Sequence, residues 1–407
     1  MKEPVINVGI MDATEIRFHA DGSCRTVTAR DGRVVCDGVS VAELRVEPTE
    51  GVFELENVTI GVNFHWERKE NQKFTGALRF VADECDGSRV IAINEVGVED
   101  YLKSVISSEM SAGCSEALLR AHAVVSRSWL LRQIADRGKH TAAELGGWKK
   151  TQVDGREVDE LVRWYDREDH TQFDVCADDH CQRYQGITRQ TSPVVAEAVD
   201  ATRGCVLMWD GAICDARFSK CCGGASELFE NCWEETPHPY LESVADRAGG
   251  ETADFCDTAD DAILSQVLNS YDRETKDFYR WQVRYSPREL SELIARRSGI
   301  DFGIITALRP IKRGASGRIV RLLVEGEKRS AVVGKELEIR RWLSESHLRS
   351  SAFEVERDGE DFVLTGRGWG HGVGLCQIGA AVMGAKGYDY KAILNHYFPK
   401  AELKKIY

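Results

Sequence analysis

An α+β fold follows from three features of this sequence. The first ninety or so residues are dense in short β-branched runs separated by turn signals. Two helical stretches then follow each other closely, 94–110 and 115–138. The remainder mixes strand and helix patterns and carries a glycine-rich loop at 366–380. The expected organisation is a β-rich N-terminal module over 1–95 and a helical pair, insertion and strand region over 96–248. A mixed α/β C-terminal module with the glycine loop fills 249–407.

The N-terminal strands are read from VINVGI, EIRFHA, CRTVTA, RVVCDG, VTIGVNF, GALRFVA and RVIAINEV, with turns at Asp21-Gly22, Asp31-Gly32 and Asp86-Gly87. In 94–110 the apolar residues Val98, Leu102, Val105, Ile106 and Met110 make one stripe of a helix, with Glu99 and Asp100 in its first turn. Glu109 falls on that apolar side. A desolvated carboxyl tends to keep its proton, which is what a general acid requires. A glutamate that ends a helix and pairs with a nearby arginine is the alternative. Ser115 is the expected N-cap of the second helix, Gly138 its stop, and Ala117, Leu118, Ala121, Val124, Val125, Ser128 and Leu131 its buried face. Arg127 lies on this helix.

The polar stretch Lys139–Asp169 reads as an insertion with a helix around Val158–Trp164. His170, Cys176, His180 and Cys181 follow within a dozen residues, a donor set suited to zinc or to surface histidines beside reduced thiols. Ser192–Ala245 alternates strands and turns and contains Lys220-Cys221-Cys222-Gly223-Gly224; these cysteines suit a structural or metal-binding role better than a nucleophilic one. Gly249–Asp261 marks a boundary. Ser286-Pro-Arg-Glu289 opens a helix with a capping box, and Arg318–Val324, Phe353–Glu356 and DFVLTG read as strands. GRGWGHGVGLCQIGA has too many glycines for a regular element and lacks the Lys-Ser/Thr of a phosphate-binding loop.

Composition narrows the function. The apolar fraction of 43% is that of an ordinary soluble protein, and a net charge of −13 excludes a nucleic-acid partner while allowing a neutral or cationic polymer. No apolar run approaches the ~18–20 residues of a membrane span. The opening MKEPVINVGIMDATE does not have the form of a signal peptide, which leaves open a cytoplasmic protein or a chain without its export segment. Thirteen cysteines is a high and odd number for this size.

GRGWGHGVGLCQIGA closely resembles the signature of the stage II sporulation protein D (SpoIID/LytB) family. EDYLKSVISSEM, EALLRAHAVVSRSWLL, DHCQRYQG, FSKCCGG and the tail YDYKAILNHYFPKAELKKIY resemble its other segments in the same order, from about residue 90 to the end. The resemblance implies a lytic transglycosylase that cleaves the β-1,4 bond after N-acetylmuramic acid in denuded peptidoglycan strands. It makes Glu109 the catalytic acid/base. Arg127, Ser219, Trp369, His371 and Gln377 become the expected glycan contacts. A structural zinc on His170, Cys176, His180 and Cys181 is implied, pinning the insertion, as is a place in the cell envelope.

A single carboxyl suffices for such a reaction, because the sugar's own C6 hydroxyl replaces the water that hydrolytic glycosidases activate with a second carboxylate. The family also includes amidase enhancers, so a non-catalytic partner of a wall amidase is the rival reading. A metal-dependent hydrolase, with an open zinc position, is the other. The chain departs from the family at Ser111, where proline is usual, and at Cys221, Cys222 and Cys376, where serines occur.

Overall fold

A computed structural model describes residues 2–61, 67–111, 113–137, 146–164, 170–178, 181–190, 192–267 and 277–407. The fold is α+β. Among the described residues there are eight α-helices: α1 (Val98–Glu109), α2 (Glu116–Ala135), α3 (Pro193–Ala201), α4 (Asp261–Val267), α5 (Pro287–Ser298), α6 (Glu336–Trp342), α7 (Gln377–Ala385) and α8 (Tyr390–Tyr397). None is long and apolar enough to cross a membrane.

The N-terminal strands form two sheets. Six antiparallel strands run from Val39–Val41 at one edge to Arg68–Thr75 at the other. The second sheet is ordered Val175–Cys176, Val5–Ala13, Val90–Gly97, Ala77–Ala82, Glu43–Val46. Alternating side chains face inward from both, and Phe18 meets Phe80 with ring centroids 5.1 Å apart. Asp21-Gly22 and Asp31-Gly32 each hold two successive residues at positive φ, the turn geometry that matches strand twist.

The strand Val90–Gly97 runs directly into α1, and α1 packs on α2 and α3. Ser115 caps α2, accepting from the Leu118 amide. Between α1 and α2 lies a sealed ion pair. Arg127 Nη2 donates to Glu99 Oε2 at 2.6 Å and Nε to Oε1 at 3.0 Å, with both side chains shut off from solvent. Tyr407 Oη and the Gly204 amide also donate to Glu99 Oε1.

A large core runs from the N-terminal sheets through α1, α2 and α3 to Phe255, Leu264, Val373, Leu375 and α8. Residues 281–364 supply a second core around Trp342, Leu322 and Phe362. The glycine-rich segment therefore packs against the first core although the strand leading into it belongs to the second. Helix α5 has the expected capping box at Ser286 and Glu289, and Gly299 ends it in the left-handed region.

The insertion differs from expectation. Val158–Trp164 is not helical: Arg156–Arg163 is a strand, paired with Gly146–Val153 across the turn Asp154-Gly155. It also pairs in parallel with Ser330–Gly334, joining the sheet of the second core. That partner strand overrides the weak helical pattern. It also anchors the insertion to that sheet. Residues 138–145 and 165–169, with the expected stop at Gly138, lie outside the described residues.

Candidate active site

Glu109 is the last residue of α1, immediately before the chain turns at Met110 and breaks toward α2. The stripe Val98, Tyr101, Leu102, Val105 and Ile106 is sealed, but Glu109 is only half-buried, because the helix stops there and no further turn covers it. Its carboxyl lies within electrostatic reach of the Tyr101 hydroxyl. Burial, then the charges that Cys181 and Cys176 can carry, then Tyr184 and Glu109, push that phenol well above its ordinary value, so it stays protonated. Tyr101 stacks on Tyr184 at 5.0 Å, and its hydroxyl has no hydrogen-bond partner among the described residues.

The sulfurs that act on Tyr101 belong to the His/Cys segment. The strand Val175–Cys176 pairs in parallel with Val5–Ala13, and the Ala177 amide donates to the Gly9 carbonyl. A Cβ at Gly9 would lie 2.6 Å from the Phe173 ring, so glycine is what lets this segment dock. His170, Cys176 and Cys181 converge, each offering a ligand atom within 4.8 Å of the others, with His170 Nε2 at 3.6 Å from Cys181 Sγ. His180 lies outside the described residues. One imidazole and two thiols, partly exposed beside an orphaned phenol, fit a borderline-soft cation such as zinc.

The end of the glycine-rich segment docks on the side of the α1–α2 break. The Ser111 amide and the Cys114 thiol donate to the Gln266 carbonyl at the end of α4. A Cβ at Gly384 of α7 would strike Ser115 Oγ. Gln377 Nε2 meets His122 Nε2 of α2 at 3.1 Å, and His122 Nδ1 meets Ser126 Oγ at 3.2 Å. Burial and the nearby charge of Lys220 push His122 down to about 3, so its imidazole is neutral and accepts from the amide.

The loop before α7 is held from within. Gly368, Gly370, Gly372 and Gly374 all have positive φ. A side chain at Gly368 would press on the Cys221 and Cys222 carbonyls. Arg318, fully buried, donates to the carbonyls of Gly370 and Cys222. Nothing in the sequence pattern singled out Arg318, because its partners are backbone atoms some fifty and a hundred positions away.

The expected glycan contacts divide. Trp369 and His371 are partly exposed; Trp369 rests against Phe278 and under the Arg349 guanidinium, and His371 packs edge-on to Trp233. Burial, with Arg217 and Arg318 nearby, holds His371 neutral, well below its ordinary value. Ser219 is nearly sealed, and its hydroxyl has no partner among the described residues. Arg127 and Gln377 do not face an open surface. The sealed pair with Glu99 and the contact with His122 occupy them, so both act inside the fold. Arg127 thus belongs to Glu99.

Comparison with known proteins bears on this arrangement. Residues 86–209, which carry Glu109 and the His/Cys segment, match the family described as stage II sporulation protein. Residues 227–374 match a domain of unknown function, DUF8618. An uncharacterized protein of Brachyspira hyodysenteriae is 25% identical over 80% of this chain and 71% of its own length. Stage II sporulation protein D of Bacillus amyloliquefaciens is 23% identical over 77% of this chain and 76% of its own. The amidase enhancer of Bacillus subtilis is 24% identical over 51% of this chain but only 32% of its own length. Residues 86–209 thus match the stage II sporulation protein family, and the chain is similar over about three quarters of its length to stage II sporulation protein D.

Proposed function

We propose that this protein acts on the bacterial cell wall as a peptidoglycan lytic transglycosylase, with Glu109 as its single general acid/base. The observation that carries the reading is the setting of Glu109. It is a half-exposed carboxyl at a helix end, inside the segment that matches the sporulation family. Glu109 would protonate the leaving glycosidic oxygen and then take the proton of the C6 hydroxyl as the 1,6-anhydro ring closes. Trp369 and His371 offer partly exposed rings for a sugar face, and Ser219 an unpartnered hydroxyl.

His170, Cys176 and Cys181, with His180, would hold one zinc. Such an ion would cross-link the segment beside Tyr101, and four protein ligands would make its role structural. An envelope or extracytoplasmic location belongs to this reading.

A second reading is favoured by the similarity to an amidase enhancer: the chain binds glycan and stimulates a separate wall amidase. Mass analysis of products from denuded glycan strands separates the two. Release of 1,6-anhydro-muramyl ends supports cleavage by this chain. Reducing ends indicate hydrolysis. No product, together with faster turnover of an added amidase, makes the enhancer reading correct.

A further inference from the structure

A second group of ligand-type side chains lies apart from the first, and nothing in the proposed reaction uses it. Cys222, Asp246, Cys256 and Cys376 place their ligand atoms within 4.8 Å of one another, and each is at most 2% exposed. They come from three separate stretches of chain. Cys222 follows the strand Phe218–Ser219, and Cys376 ends the parallel partner strand and caps α7. Asp246 and Cys256 come from the loop that leads into α4. We propose that these four residues form a structural zinc site, with three thiolates and one carboxylate as ligands.

Three observations support it. Cys222 Sγ and Cys256 Sγ are 3.7 Å apart. Two sulfurs bound tetrahedrally to one zinc at ~2.3 Å are separated by about 3.8 Å. Thiols in simple contact reach a similar spacing, so the convergence of a third sulfur and a carboxylate is the stronger point.

The second observation is the hydrogen bonding around the ligands. The amides of Cys222 and Gly379 donate to Cys376 Sγ at 3.2 and 3.4 Å, as they would to a thiolate. Asp246 is aimed by Tyr397 Oη on one oxygen and by the Cys256 amide on the other. Such outer hydrogen bonds are what orient ligands in metal sites.

Third, Asp246 is sealed in the core with no basic side chain paired to it among the described residues. An uncompensated buried carboxylate is costly; direct ligation to a divalent ion offsets part of that cost, and the hydrogen bonds to Cys376 Sγ and to Asp246 share the negative charge the site keeps. A Cβ at Gly379 would lie 2.4 Å from Asp246 Oδ1, so the residue there leaves room for the carboxylate.

The placement gives the ion a task. Cys222 and Cys376 lie just outside the two ends of the 227–374 segment, and Asp246 and Cys256 lie inside it. One ion would tie that segment to the helical core at its root. This inference does not depend on glycan cleavage.

The test is metal content of the full-length chain, measured in a Cys176→Ser/Cys181→Ser background that removes the other donor set. One zinc per chain should remain, and adding Cys256→Ser should abolish it. Cobalt substitution of the background protein should give thiolate-to-cobalt charge-transfer absorption, lost with Cys256→Ser. Zinc-free protein that also takes up no cobalt overturns the proposal, as does peptide mapping that finds a Cys222–Cys256 disulfide. Cys221 is an adjacent buried thiol; zinc kept in Asp246→Asn but lost in Cys221→Ser would overturn the assignment of Asp246. Should Cys256→Ser fail to fold, the wild-type chain decides. Iodoacetamide labelling of Cys222 and Cys256 should rise when a chelator is added, and labelling indifferent to the chelator overturns the site.

Discussion

Arg127 and Glu99 face each other across the α1–α2 interface, joined by two hydrogen bonds at 2.6 and 3.0 Å in a space closed to water. Burial opposes the charge on Glu99, but Arg127, the Tyr407 hydroxyl and the Gly204 amide outweigh it and hold the carboxyl below its ordinary value. Arg127→Met would strand a buried carboxylate and should cost ~3–5 kcal/mol, read by denaturant unfolding. Glu99→Leu in the same chain should recover much of that loss. If Arg127→Met alone is as stable as wild type, the pair is not what holds the helices. Because the folded carboxyl titrates below 4.5, its contribution is present above that pH and fades as acid protonates it.

Glu109→Gln keeps size and hydrogen-bonding shape but removes the proton that the reaction moves. Turnover on denuded glycan should drop at least ~10²–10⁴-fold, the usual worth of one positioned acid–base group. Glycan binding should persist, and the melting temperature should change little at a half-exposed helix end. Release of anhydro products by Glu109→Gln at the wild-type rate would remove this residue from the mechanism.

The neutral imidazole of His122 makes a pH prediction. Folded, it titrates at about 3; unfolded, near 6.5. Between those values the unfolded chain binds a proton that the folded chain does not. Stability should therefore be complete above about pH 6.5 and fall as the pH drops toward 3, by up to ~1.4 kcal/mol per pH unit for this group. His122→Gln should lower stability at pH 7 and flatten the slope by one proton. Melting curves from pH 7 to 4 measure both, and an unchanged slope would show that His122 is not the titrating group.

At the His170 site, Cys181→Ser should release zinc and lower the melting temperature, while the Cys222 group keeps its own ion. Wild-type protein whose melting temperature is indifferent to chelator and to added zinc would leave both groups as plain thiol clusters.

Much of the fold could be read from the sequence because it is local. Period-two runs with Asp-Gly turns gave strands, Ser115 capped its helix, and Ser286 with Glu289 made the capping box. What could not be read depends on distant partners. Arg156–Arg163 is a strand because Ser330–Gly334 lies beside it, about 170 residues away. Glu109 was singled out by its position on a helix, whereas Arg127, offered as a glycan contact, is paired with Glu99 in the first turn of that helix. His170, Cys176 and Cys181 were legible because they are close in sequence. Of Cys222, Asp246, Cys256 and Cys376, only Cys222 stood out in the sequence as structural or metal-binding, because only the folded chain brings the four together.

The pairing of Arg156–Arg163 with Ser330–Gly334 has a consequence for anyone who cuts this protein apart. Ser330–Gly334 lies between two neighbours, one of them lent by a stretch outside the 227–374 segment. Expressed alone, that segment would present an open edge of unpaired amides and carbonyls flanked by Ala331, Val332 and Val333, which are sealed in the whole chain. Exposed apolar edges recruit strands from other molecules. The isolated segment should self-associate or precipitate, and a synthetic peptide spanning 146–163, added in trans, should restore a monomer.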